Sequence, residues 1–96
     1  MAIKVILDLN IKQDLIQKYM DFLDKNLPNV RGFEGCEGLK VYFNSDSKDM
    51  IISETWSSKQ AHNKYIEFIS NNGIMEQLKS FLNKEASIKY YDILDI

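Results

Sequence analysis

The stretch Ser53 to Tyr65, SETWSSKQAHNKY, gathers the residues of this chain best equipped for chemistry. It holds the sole tryptophan, Trp56, and the sole histidine, His62, six positions apart, with Glu54 before them and Tyr65 behind. Histidine changes charge near neutrality and moves protons. A carboxyl taken into an apolar setting becomes a stronger base. Tryptophan and tyrosine bring broad apolar faces with a polar tip that needs a partner. Converging in one place, these residues would make an aromatic-lined pocket for a small molecule. Each also suits ordinary packing: Trp56 as a strand-end core residue, His62 at the edge of a buried arc, Tyr65 as filler, and Glu54 as the ion-pair partner of a cation such as Arg31.

The elements that must position them can be read from periodicity. In AIKVILDLN, Ile3, Val5, Leu7 and Leu9 share one face and Lys4, Ile6, Asp8 and Asn10 the other, which predicts a strand. In DLIQKYMDFLDKNL the period lengthens and Leu15, Tyr19, Phe22 and Leu23 form a helical stripe. Asp14 with Gln17 reads as a capping box, and Pro28 as the helix stop. GLKVYF and MIISETW alternate again around the turn NSDSKD, predicting a hairpin that puts Ile52, Glu54 and Trp56 on one side. Ser57 with Gln60 reads as a second capping box, opening a helix to about Asn71 with Ala61, Tyr65, Phe68 and Ile69 at its apolar centre. IMEQLKSFL predicts a short third helix with Ile74, Leu78, Phe81 and Leu82 inward, and ASIKYYDIL a last strand.

The predicted class is therefore α+β, in the ferredoxin-like order β-α-β-β-α-(α)-β: an antiparallel sheet with helices on one face, as one domain over residues 1–96. Helices can cover Val5, Leu7, Val41, Ile52, Trp56 and Ile88. The opposite face still carries Ile6, Tyr42, Ile51, Tyr91 and Ile93, with no element left to cover it. An apolar face of that kind predicts a homodimer packed sheet to sheet; a half-polar face open to solvent is the alternative, since Lys4, Asp8, Lys40 and Ser53 lie among those residues.

Composition narrows the function. The 96 residues suffice for one core, and the net charge is −2, with the basic residues scattered from Lys4 to Lys89. No nucleic-acid footprint is expected, and the third strand lacks the aromatic and basic pattern of RNA-reading sheets. Cys36 is the single cysteine, so no internal disulfide and no zinc site are expected, and no metal or other cofactor is called for. Apolar runs are too short to span a membrane, the first strand does not read as a signal peptide, and a cytoplasmic setting is expected. RGFEGCEG has its glycines at the wrong spacing for a phosphate loop, and nothing resembles a nucleophile elbow.

Two segments carry a resemblance. GFEGCEGLKVYFNSD and MIISETWSSKQAHNKY resemble the antibiotic biosynthesis monooxygenase domains, whose pattern Gly-Cys-x-Gly-x-x-x-Tyr, a hairpin, then Glu-x-Trp-x-Ser-x-x-Ala is matched by Gly35, Cys36, Gly38, Tyr42, Glu54, Trp56, Ser58 and Ala61. The resemblance covers nearly the whole chain in element order. It implies a dimeric α+β barrel in which two sheets face each other. It also implies one of several chemistries. Some members oxygenate phenols, anthrones or quinols without metal or flavin, the deprotonated substrate supplying electrons to O₂. Another branch degrades haem with a strand-one Asn, this Trp and a second-helix His. Here Leu7 stands at the Asn position and the haem-ligand His would fall near Ile66, which disfavours haem degradation. Many members place a His nine residues after the Trp, where this chain has Tyr65, so Tyr65, His62 or Glu54 would have to move the proton.

The resulting expectation is a cofactor-independent monooxygenase acting on an aromatic or quinol-like molecule. Trp56 positions the ring, Tyr65 and His62 orient it or move a proton, and Leu7, Leu9, Phe22, Glu54 and Phe68 line the pocket. The alternative is a dimeric barrel that binds a small apolar ligand without turning it over.

Overall fold

A computed structural model describes residues 2–96. Strand β1 (Ile3–Asn10) leads through a 3-10 turn (Gln13–Leu15) into helix α1 (Ile16–Arg31). Strands β2 (Cys36–Phe43) and β3 (Asp49–Trp56) form a hairpin, helices α2 (Lys59–Asn71) and α3 (Ile74–Ser80) follow, and strand β4 (Ser87–Asp92) closes the order. The sheet runs β2-β3-β1-β4, antiparallel throughout. This is the predicted α+β, ferredoxin-like arrangement. Among the described residues no helix is long and apolar enough to cross a membrane.

Alternation in the strands becomes a two-sided sheet because successive side chains point to opposite faces. Val5, Leu7 and Leu9 of β1 and Met50, Ile52, Glu54 and Trp56 of β3 are buried beneath the helices. Tyr19, Phe22, Leu23 and Val30 of α1 meet them from above. The far face is left uncovered: Tyr42 and Tyr91 are about half exposed, at 55% and 49%. Ile88, expected under the helices, is exposed at the sheet edge because β4 has a neighbour on one side only.

Several element ends differ from the sequence reading. The capping box at Asp14 does not form. Gln17 Nε2 instead donates to Asp21 Oδ1 at 3.1 Å, and α1 begins after the 3-10 turn without a side-chain cap. Helix α1 continues through Pro28 to Arg31. The carbonyl that Pro28 leaves without a donor belongs to Asp24, which is exposed to water, while the extra turn buries Val30 in the core. The cap of α2 is Ser58, whose Oγ accepts from Ala61 N at 3.0 Å. Ser57 is held away from that role by its own N–H, which donates to Gly35 O at 2.7 Å. Helix α3 stops at Ser80, because Leu82 is drawn into a bridge with Ile11 and Lys12 N bonds Phe81 O at 2.8 Å.

Candidate functional site

The register sets one row of side chains across the helix-facing side of the sheet. Leu39 pairs with Glu54, Glu54 with Val5, and Val5 with Tyr90. Glu54 and Tyr90 therefore straddle the small side chain of Val5, and α2 lowers His62 over the gap. His62 Nδ1 lies 2.8 Å from the Tyr90 hydroxyl, and its Nε2 lies 3.7 Å from Glu54 Oε1. Trp56 Nε1 donates to that same oxygen, Glu54 Oε1, at 2.8 Å. Trp56, Glu54, His62 and Tyr90 thus form a chain of polar groups, hydrogen-bonded at its two ends and open between Glu54 and His62, and ending where Lys59 Nζ lies 4.8 Å from the Tyr90 ring centre.

Burial sets the electrostatics of this chain. It pushes the Glu54 carboxyl above its ordinary range, with the Trp56 hydrogen bond opposing the shift. It pushes His62 down from 6.5 to about 4. At 3.7 Å the Glu54–His62 contact is too long for a hydrogen bond, and with the imidazole neutral at physiological pH it is not an ion pair. Burial, then the Glu54 charge and then Cys36, push the Tyr65 hydroxyl up to about 12. Tyr90 is raised as well, by burial and then by Glu54. The tyrosines remain hydrogen-bond donors at neutral pH, and Glu54 is the group placed to accept a proton.

Beside this chain lies a cavity of about 620 Å³ between the sheet and all three helices. Leu7, Ile52 and Glu54 form its floor, Tyr19, Phe22 and Leu23 one wall, and His62, Tyr65 and Ile69 the other. Lys79, Lys84 and Glu85 lie along its more polar side. Of the residues singled out from sequence, Leu7, Phe22, Glu54, His62 and Tyr65 come together here. Trp56 does not line the cavity. It is fully buried behind Glu54, with its ring 5.4 Å from Tyr65, 5.3 Å from His62 and 6.2 Å from Phe33. Leu9 is also fully buried away from the cavity, and Phe68 is 52% exposed, tilted against Phe33 at 5.5 Å on the outer side of α2. Arg31 is not a hydrogen-bond or ion-pair partner of Glu54. Tyr19, Phe33 and Tyr90 escaped the sequence reading as site residues. Tyr90 had a signal, since alternation puts it on the face of Ile88, but its partner is 28 residues away.

No protein-family model and no curated protein sequence matches the chain. Solved structures do. The Mycobacterium tuberculosis protein Rv0793 is similar over 100% of this chain and 98% of its own, with TM-score 0.86 and 18% identity. A conserved protein of Methanosarcina mazei Go1 is similar over 94% of this chain and 90% of its own, with TM-score 0.83 and 23% identity. An antibiotic biosynthesis monooxygenase is similar over 97% of this chain and 99% of its own, with TM-score 0.85 and 13% identity. The fold is that of the antibiotic biosynthesis monooxygenases. At these identities the likeness is one of fold, and it agrees with the resemblance carried by the Gly35–Tyr42 and Glu54–Ala61 motifs.

Within that fold the residues present do not suit a haem. His62 Nδ1 is taken by the Tyr90 hydroxyl, Nε2 faces Glu54 at 3.7 Å rather than open space, and the ring is 1% exposed. Leu7 and Ile66, at the positions where the haem-degrading branch would have its Asn and His, present only hydrocarbon to the cavity.

Proposed function

We propose that this chain is a cofactor-independent monooxygenase of the antibiotic biosynthesis type, acting on an aromatic or quinol-like small molecule. The observation that carries the reading is a carboxyl of raised pKa on the floor of an apolar cavity large enough for a fused-ring substrate. Trp56 holds Oε1, and the other oxygen of Glu54 has no hydrogen bond from the described residues. That oxygen takes the acidic proton of a phenol or of a methylene flanked by aromatic rings. The apolar walls exclude water, so the substrate anion stays reactive. It passes one electron to O₂, and the resulting pair couples to form a carbon–oxygen bond. The peroxide anion recovers the proton from Glu54, and loss of water from the hydroperoxide converts the methylene to a carbonyl. One O₂ is consumed and one water released for each carbonyl formed. Neutral His62 and Tyr65 border the substrate, and Trp56 acts through Glu54 rather than on the substrate directly.

Oxygen uptake with an anthrone-type substrate tests this. Glu54→Gln keeps an acceptor for Trp56 and removes the base, and uptake is expected to fall at least about 100-fold. Full uptake by that variant would sink the assignment. A second reading, a barrel that binds such molecules without turning them over, is favoured by one feature: Glu54 and His62 already have partners inside the protein. Saturable binding with no uptake by the wild type would select it.

The same reading includes a homodimer. Across the uncovered face Tyr42 pairs with Ile51, and Lys4 with Tyr91. That apolar surface suits a second copy related by two-fold symmetry. A cytoplasmic setting belongs to the proposal and is compatible with the free Cys36 thiol.

A further inference from the structure

The cavity is chemically different at its two ends. Glu54 stands in the row of Val5 and Tyr90, near one end of the sheet. The other end is marked by Ile11, which bridges to Leu82, and by Asn10 O, which accepts from Asn83 N. Lys12 N donates to Phe81 O there and ties down the end of α3. Lys79, in the last turn of α3, and Lys84 and Glu85, just past Asn83, line the cavity at this end. Along β1, Leu9 and Asn10 stand four and five residues from Val5, about 13–16 Å at the usual strand rise. Lys79 and Lys84 are the basic residues of the lining, and both are exposed to water. Neither forms an ion pair or a side-chain hydrogen bond with a described residue, where the Glu54–His62 contact is the one pairing of opposite types within ion-pair distance. Free lysines are common on any surface; these two border one apolar cavity together. Glu85 offsets one of their charges. Asp49, at the same end of the sheet, does not line the cavity and accepts from Asn10 Nδ2 at 2.7 Å. The end opposite Glu54 therefore keeps a surplus of positive charge.

We infer that the cavity takes an elongated aromatic acid, a fused-ring molecule whose carboxylate lies at the Lys79–Lys84 end and whose acidic ring position lies at Glu54. This rests on the reading of the cavity as an aromatic-ligand site, and it names the substrate class and two specificity residues outside the motif positions. The rings fill the hydrocarbon between the two ends. The carboxylate meets ammonium groups that stay in contact with water, so pairing costs little desolvation. Turned the other way, the carboxylate would lose its hydration beside the Glu54 carboxyl with no cation in return. The two ends thus set the orientation that presents the ring to the base.

Anthracene-2-carboxylate and anthracene-2-carboxamide share one frame and differ in charge, which makes them suitable probes. Binding of each is followed by the anisotropy of the anthracene fluorescence near neutral pH. The wild type is expected to prefer the carboxylate about fivefold to tenfold, as two water-exposed charge pairs allow. Lys79→Gln and Lys84→Gln should each remove part of that preference, and the double variant all of it, with carboxamide affinity held within about twofold. Salt at about 0.5 M should erase the preference in the wild type. Lys89→Gln serves as the control, since Lys89 pairs with Ile6 on the uncovered face and does not line the cavity. All of these side chains are exposed, so the variants should melt with the wild type. Equal binding of the two probes by the wild type, a preference that survives the double variant, or an equal loss in Lys89→Gln would overturn this inference and leave the aromatic-ligand reading standing. Failure of both probes to bind the wild type would remove both.

Discussion

His62 should remain neutral in the folded protein down to pH values at which free histidine is charged, and the stability of the protein should fall accordingly. Burial lowers its pKa from 6.5 to about 4. A shift of that size corresponds to discrimination against the imidazolium on the order of 3 kcal/mol. The sign follows from proton counting. Below about pH 6.5 the unfolded chain takes up a proton at this site, while the folded protein does not until near pH 4. The unfolded state holds more protons over that window, so stability is complete above pH 6.5, declines as the pH falls, and levels off near 4. Glu54 acts in the opposite sense. Its raised pKa means that the stability it contributes is present below its unfolded value and lost as pH rises through the folded one. Comparison of the wild type with His62→Gln removes this background, which both proteins share. Urea unfolding at steps from pH 7.5 to 4.5 should show the difference between them changing by about 2–3 kcal/mol, to the disadvantage of the wild type at low pH. As this is the only histidine, its ring resonances can be followed without assignment. A titration midpoint near 6.5 in the folded protein, or a pH-independent stability difference, would refute the reasoning.

Further outcomes follow from the same geometry. Trp56→Phe deletes the donor to Glu54 Oε1 and leaves a buried carboxyl without a hydrogen bond, so unfolding by urea should show a loss of about 1–3 kcal/mol. The Glu54 pKa should rise further in that variant, read as an upward shift of the basic-form limb of any pH–activity profile. Gly35 has φ +94°, and a Cβ there would sit 2.5 Å from Ala61 Cβ and 3.0 Å from Ser57 Oγ, so Gly35→Ala should cost about 2 kcal/mol or more. Ala61→Gly in the same chain should recover part of that loss in melting temperature. Tyr91→Glu on the uncovered face should convert a dimer to a monomer in sedimentation velocity, and a wild type that sediments as a monomer at micromolar concentration would end the dimer proposal.

Much of the architecture is legible because it is local. Alternation in IKVILDLN and DMIISETW states which residues share a face, and the stripe through Tyr19, Phe22 and Leu23 states which side of α1 turns inward. Each depends only on the geometry of a strand or a helix. Element ends were less legible, because neighbours outside the element decide them. Ser57 and Ser58 are equally good caps as types, and the bond from Ser57 N to Gly35 O determines that Ser58 takes the role. Pro28 reads as a stop, yet its position on the solvent side of α1 lets the helix pass.

The candidate site divides along the same line. Sequence by itself put Glu54, Trp56, His62 and Tyr65 within one strand–turn–helix unit and turned Glu54 and Trp56 to the same side. Only tertiary structure decided that Glu54 reaches the cavity and Trp56 stands behind it, since that depends on where α1 and α2 settle over the sheet. It alone brought Tyr90 to His62, through the placement of β4 beside β1, and Tyr19 into the cavity wall. Periodicity determines the face a side chain occupies. The neighbours it meets there are set by strand order and register, which join residues dozens of positions apart and leave no trace in any short window of the chain.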